Sequence, residues 1–252
     1  MSKKLAKLRL PLTTVVLGLL VAGLGITAWF VRPQQVMSKA SQSLEGSESV
    51  KTSKFELGNV GGFLLKPVSG RKDVSVIFYP GARVPAQAYA PVALEIAEEG
   101  YEIFLVNAPL NLAVLGWKKA GKIIDSRNET RIWVMAGHSM GGAMAARFAS
   151  KADYPVSGLV LWAAYPPEGT KFSPGFRVLS ITGEEDKIIS QKKLERSKRQ
   201  FPESAEFVEI EGANHSQFGW YGFQSGDGEA TISRIRQTEL VAQRTTEFLN
   251  EF

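Results

Sequence analysis

The residues of this 252-residue chain best suited to covalent chemistry lie in Trp133-Val134-Met135-Ala136-Gly137-His138-Ser139-Met140-Gly141-Gly142-Ala143-Met144. A β-rich apolar run passes through Gly-x-Ser-x-Gly into a small-residue helical run, which is the pattern of a nucleophile elbow. Such a turn strains its serine, and it needs glycine on either side because a side chain there would strike the neighbouring strand. Ser139 is then displayed at the carboxyl edge of a sheet. The helix that follows offers unpaired N–H groups and the positive end of its dipole to charge building on a substrate oxygen. A serine at a helix start also serves as a plain N-cap, so the reading depends on an acid and a histidine further along the chain.

Both are present. After the apolar run Val178-Leu179-Ser180-Ile181 comes Thr182-Gly183-Glu184-Glu185-Asp186, and after Phe207-Val208-Glu209-Ile210 comes Glu211-Gly212-Ala213-Asn214-His215. The chain has two histidines. His138 adjoins the serine, where side chains diverge on a tight turn, so His215 is the expected base. Asp186 is the preferred acid, with Glu185 as the alternative within the same carboxylate run. The aromatic residues Phe218, Trp220, Tyr221 and Phe223 follow closely and are expected to pack, to wall an acyl pocket or to lean on a membrane.

The elements that must position these groups alternate. Strands are expected at Val74–Tyr79, Glu102–Val106, Arg131–Ala136, Gly158–Ala163, Arg177–Ile181 and Glu206–Ile210, preceded by a hairpin through Phe55–Leu57 and Phe63–Leu65. Helices are expected at Ala88–Glu99, Leu110–Ile124, Met140–Ser150, Gln191–Gln200 and Thr231–Leu249. Strand and helix taking turns implies right-handed crossovers in a doubly wound, mostly parallel α/β sheet. Reactive groups in such sheets collect at the carboxyl ends of the strands. Only about a dozen residues, Tyr165 to Phe176, separate the sixth and seventh strands, so little material is available for a lid.

Composition bounds the rest. A chain that is 44% hydrophobic and 22% charged can bury one sizeable core. Of its net charge of +5, four charges belong to Lys3, Lys4, Lys7 and Arg9, so the basic balance is a property of the tail and argues against nucleic acid as a partner. The second basic run, Lys192, Lys193, Arg196, Lys198 and Arg199, reads as a solvated helix face. The absence of cysteine excludes disulfides and thiolate chemistry. Leu10 to Val31 is a run of 22 uncharged residues, long enough for a membrane-spanning helix. The basic residues before it imply a cytoplasmic N-terminus and an extracytoplasmic domain, with secretion after signal-peptide cleavage as the alternative. The expected organisation is a basic tail at 1–9, a transmembrane helix at 10–31, a polar linker at 32–53 and a catalytic domain at 54–252.

These motifs resemble the serine α/β-hydrolase superfamily, and within it small, lid-poor bacterial dienelactone-hydrolase-like (carboxymethylenebutenolidase-like) proteins. The matching pieces are Tyr79-Pro80-Gly81-Ala82-Arg83-Val84, Pro109-Leu110-Asn111-Leu112-Ala113, the elbow, Gly183 to Asp186, and Asn214-His215-Ser216-Gln217-Phe218-Gly219. The order serine, acid, histidine is that of this superfamily. Dienelactone hydrolases use a cysteine nucleophile, which this chain lacks, so their substrate class does not carry over. The resemblance implies that His215 activates Ser139 while Asp186 orients the imidazole. It also implies an oxyanion hole formed by the backbone N–H of Met140 and that of Ala82, with Arg83 as the alternative. The expected activity is cofactor-free cleavage of a small-molecule carboxylic ester or thioester. Acyl transfer and a non-catalytic binding role on the same fold are the alternatives.

Overall fold

In the computed structural model, the described residues are 32–127, 129, 132–151 and 153–252. The expected basic tail and the transmembrane helix at 10–31 lie outside them. Among the described residues, no helix is long and apolar enough to cross a membrane.

Eight strands form one sheet in the order β1-β2-β4-β3-β5-β6-β7-β8. They are β1 (Val50–Leu57), β2 (Val60–Pro67), β3 (Val74–Tyr79), β4 (Glu102–Val106), β5 (Ile132–His138), β6 (Val156–Trp162), β7 (Arg177–Gly183) and β8 (Glu206–Ile210). The pairs β1–β2 and β2–β4 are antiparallel, and every other pair is parallel. The leading hairpin turns at Gly58-Asn59, with Leu57 opposite Val60. Gly58 has φ 64°, as the first central position of a two-residue hairpin loop commonly requires.

The central strands β3 to β7 are buried on both faces because they carry apolar residues at consecutive positions, whereas the edge strands β1 and β8 are largely exposed. Val76 and Phe78 of β3 point into one core layer and Ile77 and Tyr79 into the other. The first layer is closed by α2 (Ala90–Glu98) and α6 (Arg234–Leu249), through residues such as Ile96, Val241 and Phe248. The second is closed by α3 (Lys119–Asp125) and α4 (Met140–Lys151), through Ile123, Met144 and Phe148. A short α5 (Gln191–Ser197), capped by the Ser190 hydroxyl, joins β7 to β8.

Two expectations need correction. The helix expected over Leu110–Ile124 is broken into 3-10 turns at Pro109–Asn111 and Ala113–Leu115, followed by α3. Leu110 and Asn111 adopt φ 51° and 55°, left-handed values that no right-handed helix accommodates. The linker expected at 32–53 is instead built into the domain, since residues Pro33–Phe252 form one compact unit. Within it, α1 (Ser38–Ser43) buries Ala40, Val36 bridges to Tyr221, Met37 N–H donates to Trp220 O at 3.0 Å, and β1 begins at Val50. A serine-rich segment can fold in this way because its few apolar residues, Val36, Ala40 and Val50, fall where the core has room.

Candidate active site

The chain leaves β3 for β4 on one side and then returns to β5 on the other. The loops after β3 and β5 therefore part at a switch point in strand order, which is where α/β sheets open a crevice. Pro80–Arg83 and Ser139 stand there. Ser139 has φ 52°, the left-handed geometry of an elbow, and its N–H donates to Trp162 O at 3.0 Å. The flanking glycines are required by packing. A Cβ at Gly137 would lie 2.5 Å from the Gly141 carbonyl carbon, and one at Gly141 would lie 2.1 Å from Tyr79 O.

Asp186 and His215 meet. Asp186 Oδ2 lies 2.7 Å from His215 Nδ1, and both side chains are buried. The other carboxylate oxygen accepts from the Ile188 and Ile189 N–H groups at 2.8 and 3.0 Å. A carboxylate held this way can only accept, so Nδ1 carries the ring proton and Nε2 is left as a lone-pair acceptor. That nitrogen is buried and has no hydrogen-bond partner, so the Ser139 hydroxyl is not bonded to it in this structure. The His215 ring does lie against the elbow, 4.4 Å between centroids from the ring of His138, the residue before the serine. Glu184 turns away to accept from Gly212 N–H at 2.9 Å, and Glu185 pairs with Lys187 at 3.4 Å. Of the three acids, Asp186 is the one that reaches the histidine.

Among the described residues, the backbone N–H groups of Ala82 and Met140 make no hydrogen bond, so both are free to donate to a bound group. Arg83, with φ 64°, donates its N–H to Asn111 O at 2.7 Å and so is committed elsewhere. The Asn111 loop thereby braces the turn that carries Ala82.

Other positioning groups had no legible signal in sequence. Tyr89 Oη accepts from Gly81 N–H at 3.0 Å and lies 2.9 Å from His138 Nδ1. Burial, then the neighbouring His215, hold the His138 pKa well below its usual value, while burial pushes the Tyr89 phenol well above its own. The neutral imidazole accepts and the phenol donates. This chain of bonds ties the elbow to the loop after β3. Changing Tyr89 to Phe leaves Gly81 N–H and His138 Nδ1 without partners. The expected result is a loss of about 1–3 kcal/mol in stability by denaturant unfolding and a fall in kcat of about tenfold.

Asp227 links the acid loop to the histidine loop. It accepts from Lys187 N–H at 3.4 Å, from His215 N–H at 3.3 Å and from the Ser216 N–H and hydroxyl at 2.7 and 2.6 Å. Gln237 holds Asn214 from behind through both its amide atoms, at 3.2 and 2.8 Å. Arg234 donates to Ser216 O at 2.8 Å and also to Gly219 O. These anchors are distant in sequence and sit on a polar loop and a helix, so only folding reveals them. The aromatic run is mainly packing. Phe218 and Tyr221 are buried, Phe218 stacks on His138 at 5.5 Å, and Phe223 alone of the four is exposed. Among the described residues, no group of three His, Asp or Glu side chains is arranged to hold a metal ion.

Comparison with known proteins agrees with this fold. The model of the alpha/beta hydrolase family matches residues 75–239, a span that includes the elbow, the acid and the histidine. The chain belongs to the alpha/beta hydrolase family. Among solved structures, this alpha/beta hydrolase is similar in fold to an esterase of Pyrococcus furiosus, with 17% identity, TM-score 0.60 and coverage of 87% of this chain and 96% of that one. It is likewise similar to a dienelactone hydrolase of Anabaena variabilis, with 17% identity, TM-score 0.58 and coverage of 81% and 97%. A predicted hydrolase of Thermoplasma acidophilum gives 16% identity, TM-score 0.59 and coverage of 81% and 99%. A search of curated proteins returns no match.

Proposed function

We propose that this alpha/beta hydrolase cleaves a carboxylic ester or thioester through an acyl-enzyme on Ser139. The observation that carries the reading is the buried Asp186–His215 pair, whose Nε2 has no hydrogen-bond partner and whose ring packs on His138, the residue before the serine. In the reaction, Ser139 Oγ attacks the substrate carbonyl as His215 Nε2 takes its proton, and the imidazolium formed is stabilised by Asp186. The negative charge moves to the carbonyl oxygen, which the Ala82 and Met140 N–H groups receive. Collapse breaks the bond to the leaving alkoxide or thiolate, which takes the proton from His215. Water then attacks the acyl-enzyme by the same route in reverse and regenerates the serine.

A fluorophosphonate probe tests this reading, because it phosphonylates only an activated serine. Stoichiometric labelling that maps to Ser139, with turnover of p-nitrophenyl esters, is expected. An unlabelled, correctly folded protein would sink the assignment. The uncharged run Leu10–Val31, preceded by four basic residues, supports a further proposal that the domain is anchored to a membrane and faces away from the cytoplasm.

A further inference from the structure

A cleft of about 880 Å³ opens beside the elbow, between the loop after β6 and the face of α5. Its lining includes Ala143, whose N–H donates to Ser139 O at 3.1 Å, so the cleft reaches within one helical turn of Ser139. Tyr165, just past the end of β6, lines it as well. Part of the apolar lining is an aromatic stack: the rings of Phe172 and Phe201 lie 6.0 Å apart, and Phe172 also stacks on Phe176, outside the lining, at 5.1 Å.

The rim is cationic from two sides. Lys193, Arg196 and Arg199 come from α5 and the turn after it, and Lys171 comes from the opposite loop. All four are exposed, and among the described residues none pairs with a carboxylate, whereas the neighbouring Lys198 pairs with Glu195 at 2.7 Å. A single carboxylate, Glu168, lines the cleft with them. Cations near the end of α5 complement its dipole, but that accounts for one or two charges on the helix and not for Lys171 across the gap. Unpaired like charges around one opening repel each other, and an anion between them relieves that repulsion.

From this geometry we propose that the cleft selects esters carrying an anionic group, a carboxylate or a phosphate, remote from the scissile bond. The proposal rests on the hydrolase reading. The apolar lining takes the hydrocarbon part of the substrate while the rim holds the anion, and this remote binding contributes to orienting the carbonyl at Ser139. The basic run that sequence reads as a solvated face thereby becomes one wall of a site.

The test compares two matched pairs of substrates. On the acyl side, the mono-p-nitrophenyl ester of glutaric acid is set against p-nitrophenyl pentanoate. On the lipid side, a lysophosphatidic acid is set against the monoacylglycerol of the same chain. In at least one pair, kcat/KM is expected to favour the anion about tenfold, with the preference shrinking as salt is raised. The double variant Arg196→Ala, Arg199→Ala, at exposed positions and with unchanged thermal unfolding, is expected to lose that preference. Preference in the first pair identifies a small acidic acyl group, and preference in the second a lipid phosphate. Turnover without preference in either pair, or a preference that survives in the double variant, overturns the proposal while leaving the hydrolase reading intact. No turnover of any ester together with no fluorophosphonate labelling overturns both.

Discussion

Changing Ser139 to Ala is expected to lower kcat by about 10⁴-fold or more and to abolish fluorophosphonate labelling, with the melting temperature nearly unchanged. The size of the effect follows from what is removed. On the proposed mechanism the hydroxyl is the nucleophile, so without it the reaction would fall back on water attacking a carbonyl polarised by two N–H groups. The fold should tolerate the change because Ala removes one oxygen, adds no Cβ that Ser lacks, and leaves the Ser139 N–H bond to Trp162 O in place. Steady-state kinetics on p-nitrophenyl esters, read beside thermal unfolding, separate loss of chemistry from loss of structure. Turnover in the variant within tenfold of the parent would mean that another residue is the nucleophile.

The second large effect is expected from Asp186→Asn. The carboxylate now accepts at Nδ1 and so keeps Nε2 free of a proton. An amide in its place can present N–H to Nδ1 and drive the ring to the opposite tautomer, whose Nε2 carries the proton and cannot serve as base. A fall in kcat of about 10³ to 10⁴-fold is expected, with a smaller change in KM, since the acid touches the imidazole and not the substrate. The Ile188 and Ile189 N–H groups can still donate to the amide oxygen, so the loop should hold. Glu185→Gln is the comparison: its carboxylate lies with Lys187, and its substitution should leave kcat within about twofold. A large loss in the Glu185 variant with none in the Asp186 variant would reassign the acid.

Parts of this arrangement are legible in the residues alone. Glycines around Ser139 announce a turn that other residues cannot make, and the Cβ clearances at Gly137 and Gly141 are the same constraint expressed in space. With two histidines in the chain, and one of them adjoining the serine, elimination points to His215. Strands β3 and β4 begin and end where their short apolar runs do, because both are covered on both faces of the sheet. The helix expected through Leu110 fails for the opposite reason. Its apolar residues have helical spacing, but Asn111 O is taken by Arg83 N–H and the chain bends to supply it.

What sequence by itself determined here is local: the elbow, the alternation of strand and helix, the order of serine, acid and histidine, and an apolar N-terminal run. The elbow, the alternation and the apolar run follow from covalent geometry or from periodicity within a few residues, and the order of the three groups is read directly along the chain. What tertiary structure decided is every choice among equivalents. Three adjacent acids differ little in sequence, and only the placement of the β7 and β8 loops turns Asp186 toward His215. Tyr89 and Asp227 gain their roles because folding brings Gly81 and His138 to the first, and Lys187 and His215 to the second. The basic run of α5 lines a cleft because Lys171 faces it from a loop more than twenty residues away. A hydrogen bond or an electrostatic field depends on separation in space, and separation along the chain does not report it.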